Sequence, residues 1–390
     1  MPLVDIAVIG GGPGGLHAAT ELSQRGFQVA VLEEHGDAGE NVLCTGIIGA
    51  QAFQEFSLPQ ETVVGSLRQT RAHGRYGTEV IYAPAQPLAY IVDKAAFNRA
   101  LADRAAAAGV EIRAHSRAVT VQTGPQQVSI AVQERAGRQY TLRARLAILA
   151  CGVRYRLAKQ LGLGLPQEFL QGAQADIPAV WTPYTEIFLD KSLSPEAFGW
   201  IVPLTTGWSR VGLMAGRRAR HSLAHWLDRL LPGWHERPGS RLECKLIAQG
   251  GLQRTYAERL LVVGEAAGQM KWTTGGGIYY AILCAQLAVD TIVKAFAHRT
   301  FTAATLRGYE QAWRRAMGRE LQVGRYFRKL YSRLHDAHVE ALLQLAERDG
   351  LMELIHAKAD FDWHRELIMA LLKHADVRKI ARAGLFMSLF

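Results

Sequence analysis

Short apolar runs punctuate the chain at residues 4–9, at the stretch ending on Glu33, at 146–151 and at 260–263. Each reads as a buried parallel strand. Between them the pattern alternates in strand fashion. Residues 62–92 do so with breaks at Gly65, Gly74, Gly77, Pro84 and Pro87, and short strands follow at 110–115, 117–122, 127–134 and 139–144. Residues 165–247 are again mostly strands, with a helix near 221–231. An Ala-rich helix spans 93–108 and is ended by Gly109. From residue 290 onward the pattern is helical, amphipathic and rich in Arg and Lys. The longest apolar run, Ile278 to Val289, is broken by Gln286 and is too short to span a bilayer.

The first run leads directly into chemistry. Gly10, Gly12 and Gly15 follow it in G-x-G-x-x-G spacing, with Pro13 and Gly14 between them, then a helix ended by Gly26 and a second strand ended by Glu33 and Glu34. In such a unit the first glycine permits the turn, the second lets backbone approach a pyrophosphate, and the third lets helix and strand pack. The free N–H groups and positive dipole end of the helix face the phosphates. Glu33 is placed to accept both hydroxyls of a ribose. This is a dinucleotide-binding unit, and its strands at 5, 30, 148 and 262 make a split domain with a β-rich insert. The expected organisation is 1–60, 93–160 and 248–295 for the dinucleotide domain, 61–92 and 161–247 for a β-rich substrate domain, and 296–390 for C-terminal helices.

A chain of 390 residues suggests two or three domains. Its net charge of +10 points to an anionic partner, with diphosphate, acidic lipid headgroups and an acidic electron-carrier protein all eligible. A solvated basic surface is the plainer alternative, and no nucleic-acid motif accompanies the charge. Cys44, Cys151, Cys244 and Cys284 show no metal-type spacing, nor do the 13 histidines, so no metal site is expected. Scattered cysteines and a strand beginning at residue 3 fit a cytoplasmic setting without a signal peptide, peripheral to a membrane at most.

Longer motifs carry a resemblance. LVVGEAAGQMKWTTGGGIYYAI at 261–282 is similar to the G-D-A-A-G … T-G-G-G-I segment of the geranylgeranyl reductase family, FAD oxidoreductases of the para-hydroxybenzoate hydroxylase-like class. VLCTGIIG at 42–49 resembles that family's loop beside the isoalloxazine ring, and FGWIVPLTTGWSRVGLM at 198–214 its (Y/F)-x-W-x-F-P strand pair. YIVDKAAFNRALADRAAAAGVEI at 90–112 resembles a helix whose basic residue contacts FAD, and ILACGVRYRLAKQLGL at 148–163 aligns with A-D-G-x-x-S.

The resemblance implies an α/β fold: a Rossmann-like FAD-binding domain, a discontinuous antiparallel substrate sheet and a C-terminal helical region. FAD would be held by the glycine turn, Glu33 and Glu34, by Cys44, Thr45 and Gly46, and by Lys94, Arg99, Val119, Ala150 and Gly152. Gly264, Glu265, Gly275, Gly276, Gly277 and Ile278 would complete the set. The three glycines would aim bare N–H groups at the flavin N1/O2 edge. Phe198, Trp200, Pro203 and Trp272 would line the substrate space. Departures also stand out. Cys151 and Glu265 replace the usual aspartates, Trp272 a common proline and Val202 a phenylalanine, while Leu213–Met214 break the closing glycine pattern.

The implied activity is reduction of a C=C bond in an isoprenoid or similarly apolar substrate, with hydride from flavin N5 and a proton from the protein. Cys44 is the candidate proton donor; its other reading is a small residue fitting a tight loop. Electrons would come from NAD(P)H or reduced ferredoxin. Two alternatives share the fold: an aromatic hydroxylase using O2 and NAD(P)H, and a non-catalytic flavin protein for electron transfer. The interleaved Arg314, Arg315, Arg319, Arg325, Arg328 and Lys329 could meet a diphosphate, an anionic membrane or an acidic donor, although a solvated helix face explains them more simply. The apolar end of 377–390 could cover a cavity or touch lipid.

Overall fold

The computed structural model describes residues 3–179, 182–204, 207–348 and 350–387. Of the apolar end expected to form a cap, residues 388–390 lie outside them. Strand Val4–Ile9 occupies the middle of a sheet ordered Tyr256–Ala257, Leu260–Val262, Gln139–Leu149, Val4–Ile9, Val29–Leu32 and Glu111–Arg113. All of these pairings are parallel except the first.

Alternation divides the central strand between two cores. Ile6 and Val8 pack toward helices Pro13–Gln24 and Ile278–Ala297, while Ala7 and Ile9 pack against an antiparallel layer that includes Val121, Val128 and Ile130. The expected strands at 139–144 and 146–151 are one continuous element, Gln139–Leu149. Its first half pairs antiparallel with Val128–Glu134 and its second half parallel with Val4–Ile9, with Ala144 joining both ladders. The strand ends at Leu149, so Cys151 lies in the loop beyond it.

The second large sheet runs Arg241–Gln249, Glu168–Ile177, Ser209–Ala215, Gly199–Pro203, Thr185–Phe188, Thr70–His73 and Glu79–Tyr82. Period-two burial sorts it as well. Ile201 and Leu213 face helix Ala219–Leu230, and Trp200, Val202 and Met214 face the opposite side. There they meet a small sheet of Ile47–Gly49, Ala89–Val92 and Val63–Leu67. Residues 61–92 are therefore shared between two sheets.

Helix Ile278–Ala297 has the length and apolar composition to cross a membrane, with mean hydropathy 1.5 over its window. Here it is a core helix: Tyr280, Ile282, Cys284, Ala285, Ala288 and Ile292 are buried against the first sheet and its helices. The long helix Ala303–Arg333 joins the same core through Leu306, Tyr309, Trp313 and Met317, at helical spacing. The Tyr309 hydroxyl donates to the Val262 carbonyl at 2.9 Å. Four further helices follow, at Asp336–Arg348, Leu351–Lys358, Arg365–Leu371 and Ala375–Met387.

Candidate active site

The nucleotide end is built by close backbone packing. Gly10 has φ +114°, and a Cβ there would stand 2.4 Å from the Ala150 carbonyl oxygen; at Gly15 it would stand 2.2 Å from that of Gly10. Only glycine fits either position. Gly12 differs, because a Cβ there meets no protein atom within 4 Å. It caps helix Pro13–Gln24 with φ −80° and ψ 173°, and its face is open. The Glu33 carboxylate accepts from the Gly11 N–H at 2.7 Å, the His35 N–H at 2.9 Å and His35 Nδ1 at 2.8 Å. These donors orient it beside the turn. Glu34 instead pairs with Arg154 at 2.5 Å, in the loop that carries Cys151.

Burial pushes the Cys151 thiol up to about 11, so it is a neutral group at neutral pH. It offers no anionic acceptor in place of the missing carboxylate. Ala150 and Gly152 contribute backbone beside Gly10 and Glu265 respectively. On the outer hairpin, the Val119 carbonyl accepts from Arg156 at 2.9 Å.

A second polar group gathers at the GEAAG turn. Lys245 donates to Glu265 Oε2 at 2.8 Å, whereas Glu265 Oε1 is buried with no partner among the described residues. Such an acceptor calls for a donor that the protein does not provide, such as a hydroxyl of a bound ribityl chain. Lys94 lies buried against the Phe97 ring and donates to Asn98 Oδ1. Burial brings its ammonium down to about 8, and its electrostatic neighbours are Cys44 and Lys245. Arg99, on the same helix, is exposed and turns to Asp37 at 3.5 Å.

The Cys44 loop is moored to the second sheet. Arg210 donates to the Thr45 carbonyl at 2.8 Å and makes a bidentate pair with Asp176, both contacts 2.7 Å. Thr45 Oγ1 reaches Gln174 Oε1 at 3.1 Å, and the Gly46 N–H donates to Cys44 Sγ at 3.4 Å. Lys245, Gln174, Asp176 and Arg210 carried no sequence signal of their own. Their in-register strands bring them to this loop.

Between loop and glycine segment lies an apolar cluster of Trp200, Val202, Met214, Ile91, Ile247 and Phe361. Phe198 packs on Trp200 at 5.9 Å between ring centroids, and half-buried Pro203 ends that strand. The Trp200 ring crosses Gly212, and its buried Nε1 has no partner among the described residues. Gly275 adjoins the cluster: a Cβ there would meet Met214 Sδ at 3.0 Å and Ile247 at 3.3 Å. Gly276 adjoins Lys271, and Gly277 caps the helix that begins at Ile278.

Trp272 is not part of this wall. Its ring packs against Gly250, with the Arg325 guanidinium 5.4 Å above it, and its Cβ adjoins Gly324. The Trp272 carbonyl accepts from Arg328 at 2.9 Å. Gly324 lets the long helix approach the Trp272 Cβ and backbone closely.

A family model described as an FAD binding domain matches residues 3–185. Digeranylgeranylglycerophospholipid reductase 2 of Methanothermobacter thermautotrophicus is 28% identical over 362 residues, 90% of this chain and 93% of that one. The digeranylgeranylglycerophospholipid reductase of Methanocaldococcus jannaschii is 27% identical, covering 87% and 90%. The chain is an FAD-dependent oxidoreductase similar to the geranylgeranyl reductases. Its fold matches a geranylgeranyl bacteriochlorophyll reductase-like protein of Thermoplasma acidophilum, with TM-score 0.83, 21% identity and coverage of 98% and 100%. It also matches p-nitrophenol 4-monooxygenase of Pseudomonas putida, with TM-score 0.72, 18% identity and coverage of 98% and 99%. FAD fits the residues present: an open Gly12, an oriented Glu33 and an unpartnered Glu265 oxygen.

Within this protein, a C-terminal segment closes on the glycine loop. Lys271 pairs with Asp362 at 2.9 Å and donates to the Phe361 carbonyl at 2.8 Å, with both charged side chains buried. His364 Nε2 meets the Phe361 carbonyl at 3.0 Å and therefore carries the proton, leaving Nδ1 to accept from Thr273 Oγ1 at 2.5 Å. Burial, then the nearby Lys271 charge, lowers His364 from 6.5 to about 4. The folded form thus excludes a proton that the unfolded chain takes up below 6.5. Stability conferred by neutral His364 is complete above that pH and is lost as pH falls toward about 4. Urea midpoints of the parent should decline through this window, and those of His364→Gln should decline less. Parallel profiles would refute the assignment.

Proposed function

We propose that this protein reduces C=C bonds of an isoprenoid lipid. The observation that carries the reading is the apolar cluster of Trp200, Val202 and Met214, reached by Ile47 beyond the Cys44 loop and by Gly275 against Met214. An alkene without polar handles is held by such a surface and kept from water. Bound FAD would supply the hydride for one alkene carbon. Gly12 and Glu33 would hold its nucleotide half, Glu265 and Lys245 its ribityl chain, and Lys94 would add positive charge beside it. Cys44 supplies the proton to the other carbon, positioned through Thr45 by Gln174 and Arg210. The apolar surface around Trp200 orients the chain, so neighbouring double bonds are offered one at a time.

The electron source is proposed to be NAD(P)H or a reduced ferredoxin, both anionic and suited to a chain of net charge +10. Contact with an anionic membrane surface rests on the same charge. The test is anaerobic reduction of the FAD-loaded protein, followed by reoxidation with a geranylgeranyl glycerophospholipid. Product mass should rise by two hydrogens per bond. Cys44→Ser should retain flavin but reoxidise about 10²-fold more slowly. Stoichiometric O2 uptake with a hydroxylated aromatic product would replace this reading with the hydroxylase. Unchanged turnover in Cys44→Ser would remove the thiol from the chemistry.

A further inference from the structure

A groove of about 730 Å³ lies among the C-terminal helices and shares no lining residue with the apolar Trp200 cluster. One wall is the long helix, presenting Arg319 and Val323. The other is formed by Leu354 and Lys358, then by Arg365, Met369 and Lys373. Four cations therefore surround the space with a single carboxylate, Glu366, among the lining residues. None of the four makes an ion pair within 4 Å among the described residues. Arg319, Lys358 and Lys373 are exposed, whereas Arg365 is half-buried with its backbone N–H held by Glu320. Between the charges the surface is apolar, and Met369 is 45% exposed.

Unpaired like charges on facing walls repel one another, and an anion between them removes that repulsion. Guanidinium and ammonium groups together match the oxygens of a phosphate. Inorganic phosphate would leave Val323, Leu354 and Met369 unused. A planar bilayer would reach the rim of the groove and not both walls. We infer that the groove binds one phosphate-bearing amphiphile, with its anionic head among Arg319, Lys358, Arg365 and Lys373 and its apolar stem along Val323, Leu354 and Met369. The site stands apart from the flavin chemistry and does not depend on which substrate the Trp200 cluster takes.

Calorimetric titration of the full-length, FAD-loaded protein with monomeric dihexanoyl phosphatidic acid tests this directly. Binding is expected, and Arg319→Gln/Lys373→Gln should weaken it about tenfold or more. Both side chains are exposed, so the variant should keep the parent's fold and flavin content. Dihexanoyl phosphatidylcholine, of zero net charge, and inorganic phosphate should each bind about tenfold more weakly than the phosphatidic acid. No binding, or equal binding by parent and variant, would overturn the inference. Equal affinity for inorganic phosphate would eliminate the apolar half of the site. Binding confined to anionic vesicles would replace it with a membrane-facing surface, and flavin loss in the variant would show that the groove is not separate from the FAD site.

Discussion

Gly12→Ala should fold like the parent and fail to retain FAD, whereas Gly15→Val should fail at the level of the fold. Both residues belong to the same six-residue turn, yet their surroundings differ. Gly12 lies in extended backbone that any residue adopts, and a Cβ there touches nothing in the protein. Replacing glycine by alanine at this helix cap should shift apo stability by no more than about 1 kcal/mol. The added methyl would occupy the space a pyrophosphate needs for close approach to the backbone. At Gly15 the same atom would stand 2.2 Å from the Gly10 carbonyl oxygen and 3.1 Å from the Ala150 Cβ. Any side chain there must lever helix Pro13–Gln24 off the strand, at a cost of at least about 2 kcal/mol. Urea denaturation of the apo proteins and flavin absorbance after reconstitution separate the two effects. A Gly12→Ala protein that purifies yellow and saturates with FAD at the parent's concentration would disprove the pyrophosphate role.

The contrast between these glycines also shows what the chain reveals before folding. The turn, its flanking strands and Glu33 are contiguous, and local spacing carries them. The Cys44 loop and the glycine segment 275–277 are contiguous too, but they stand out through resemblance to a family and not through spacing. Groups supplied by register were not legible. Lys245 reaches Glu265 because strand Arg241–Gln249 lies beside strand Glu168–Ile177, and Arg210 reaches Thr45 because it pairs across from Asp176. A one-residue slip would turn either side chain to the other face. Strand Gln139–Leu149 appeared as two because it changes partners at Ala144, a feature of topology and not of composition. The surroundings of Trp272 are also set at long range, its ring lying against Gly250 and under Arg325 and its Cβ against Gly324, contacts that its neighbours in sequence do not announce.

The residue beside Trp272 has the larger structural consequence. Lys271→Met should destabilise the protein by about 3–5 kcal/mol at neutral pH, because it leaves Asp362 charged, buried and unpaired. Burial already raises the Asp362 carboxyl above its ordinary 3.8, and the Lys271 charge opposes that rise. Removing the lysine should raise it further. For a carboxyl whose folded value exceeds its unfolded one, the folded protein holds a proton that the unfolded chain has released. Stability therefore falls as pH rises through the interval between those values and is recovered below it. The deficit of Lys271→Met relative to the parent should accordingly shrink as pH is lowered toward 4. Asp362→Asn added to Lys271→Met removes the charge at every pH and should restore most of the loss at neutral pH. Because Asp362 also lies against Gly49 and its carbonyl accepts from Tyr280, the single variant should loosen the segment that brings Phe361 to the Trp200 cluster. Urea denaturation across pH measures the stability, and flavin affinity reports the loosening. Equal destabilisation of the single and double variants would mean that the Lys271 stem contributes through packing and that the ion pair adds nothing.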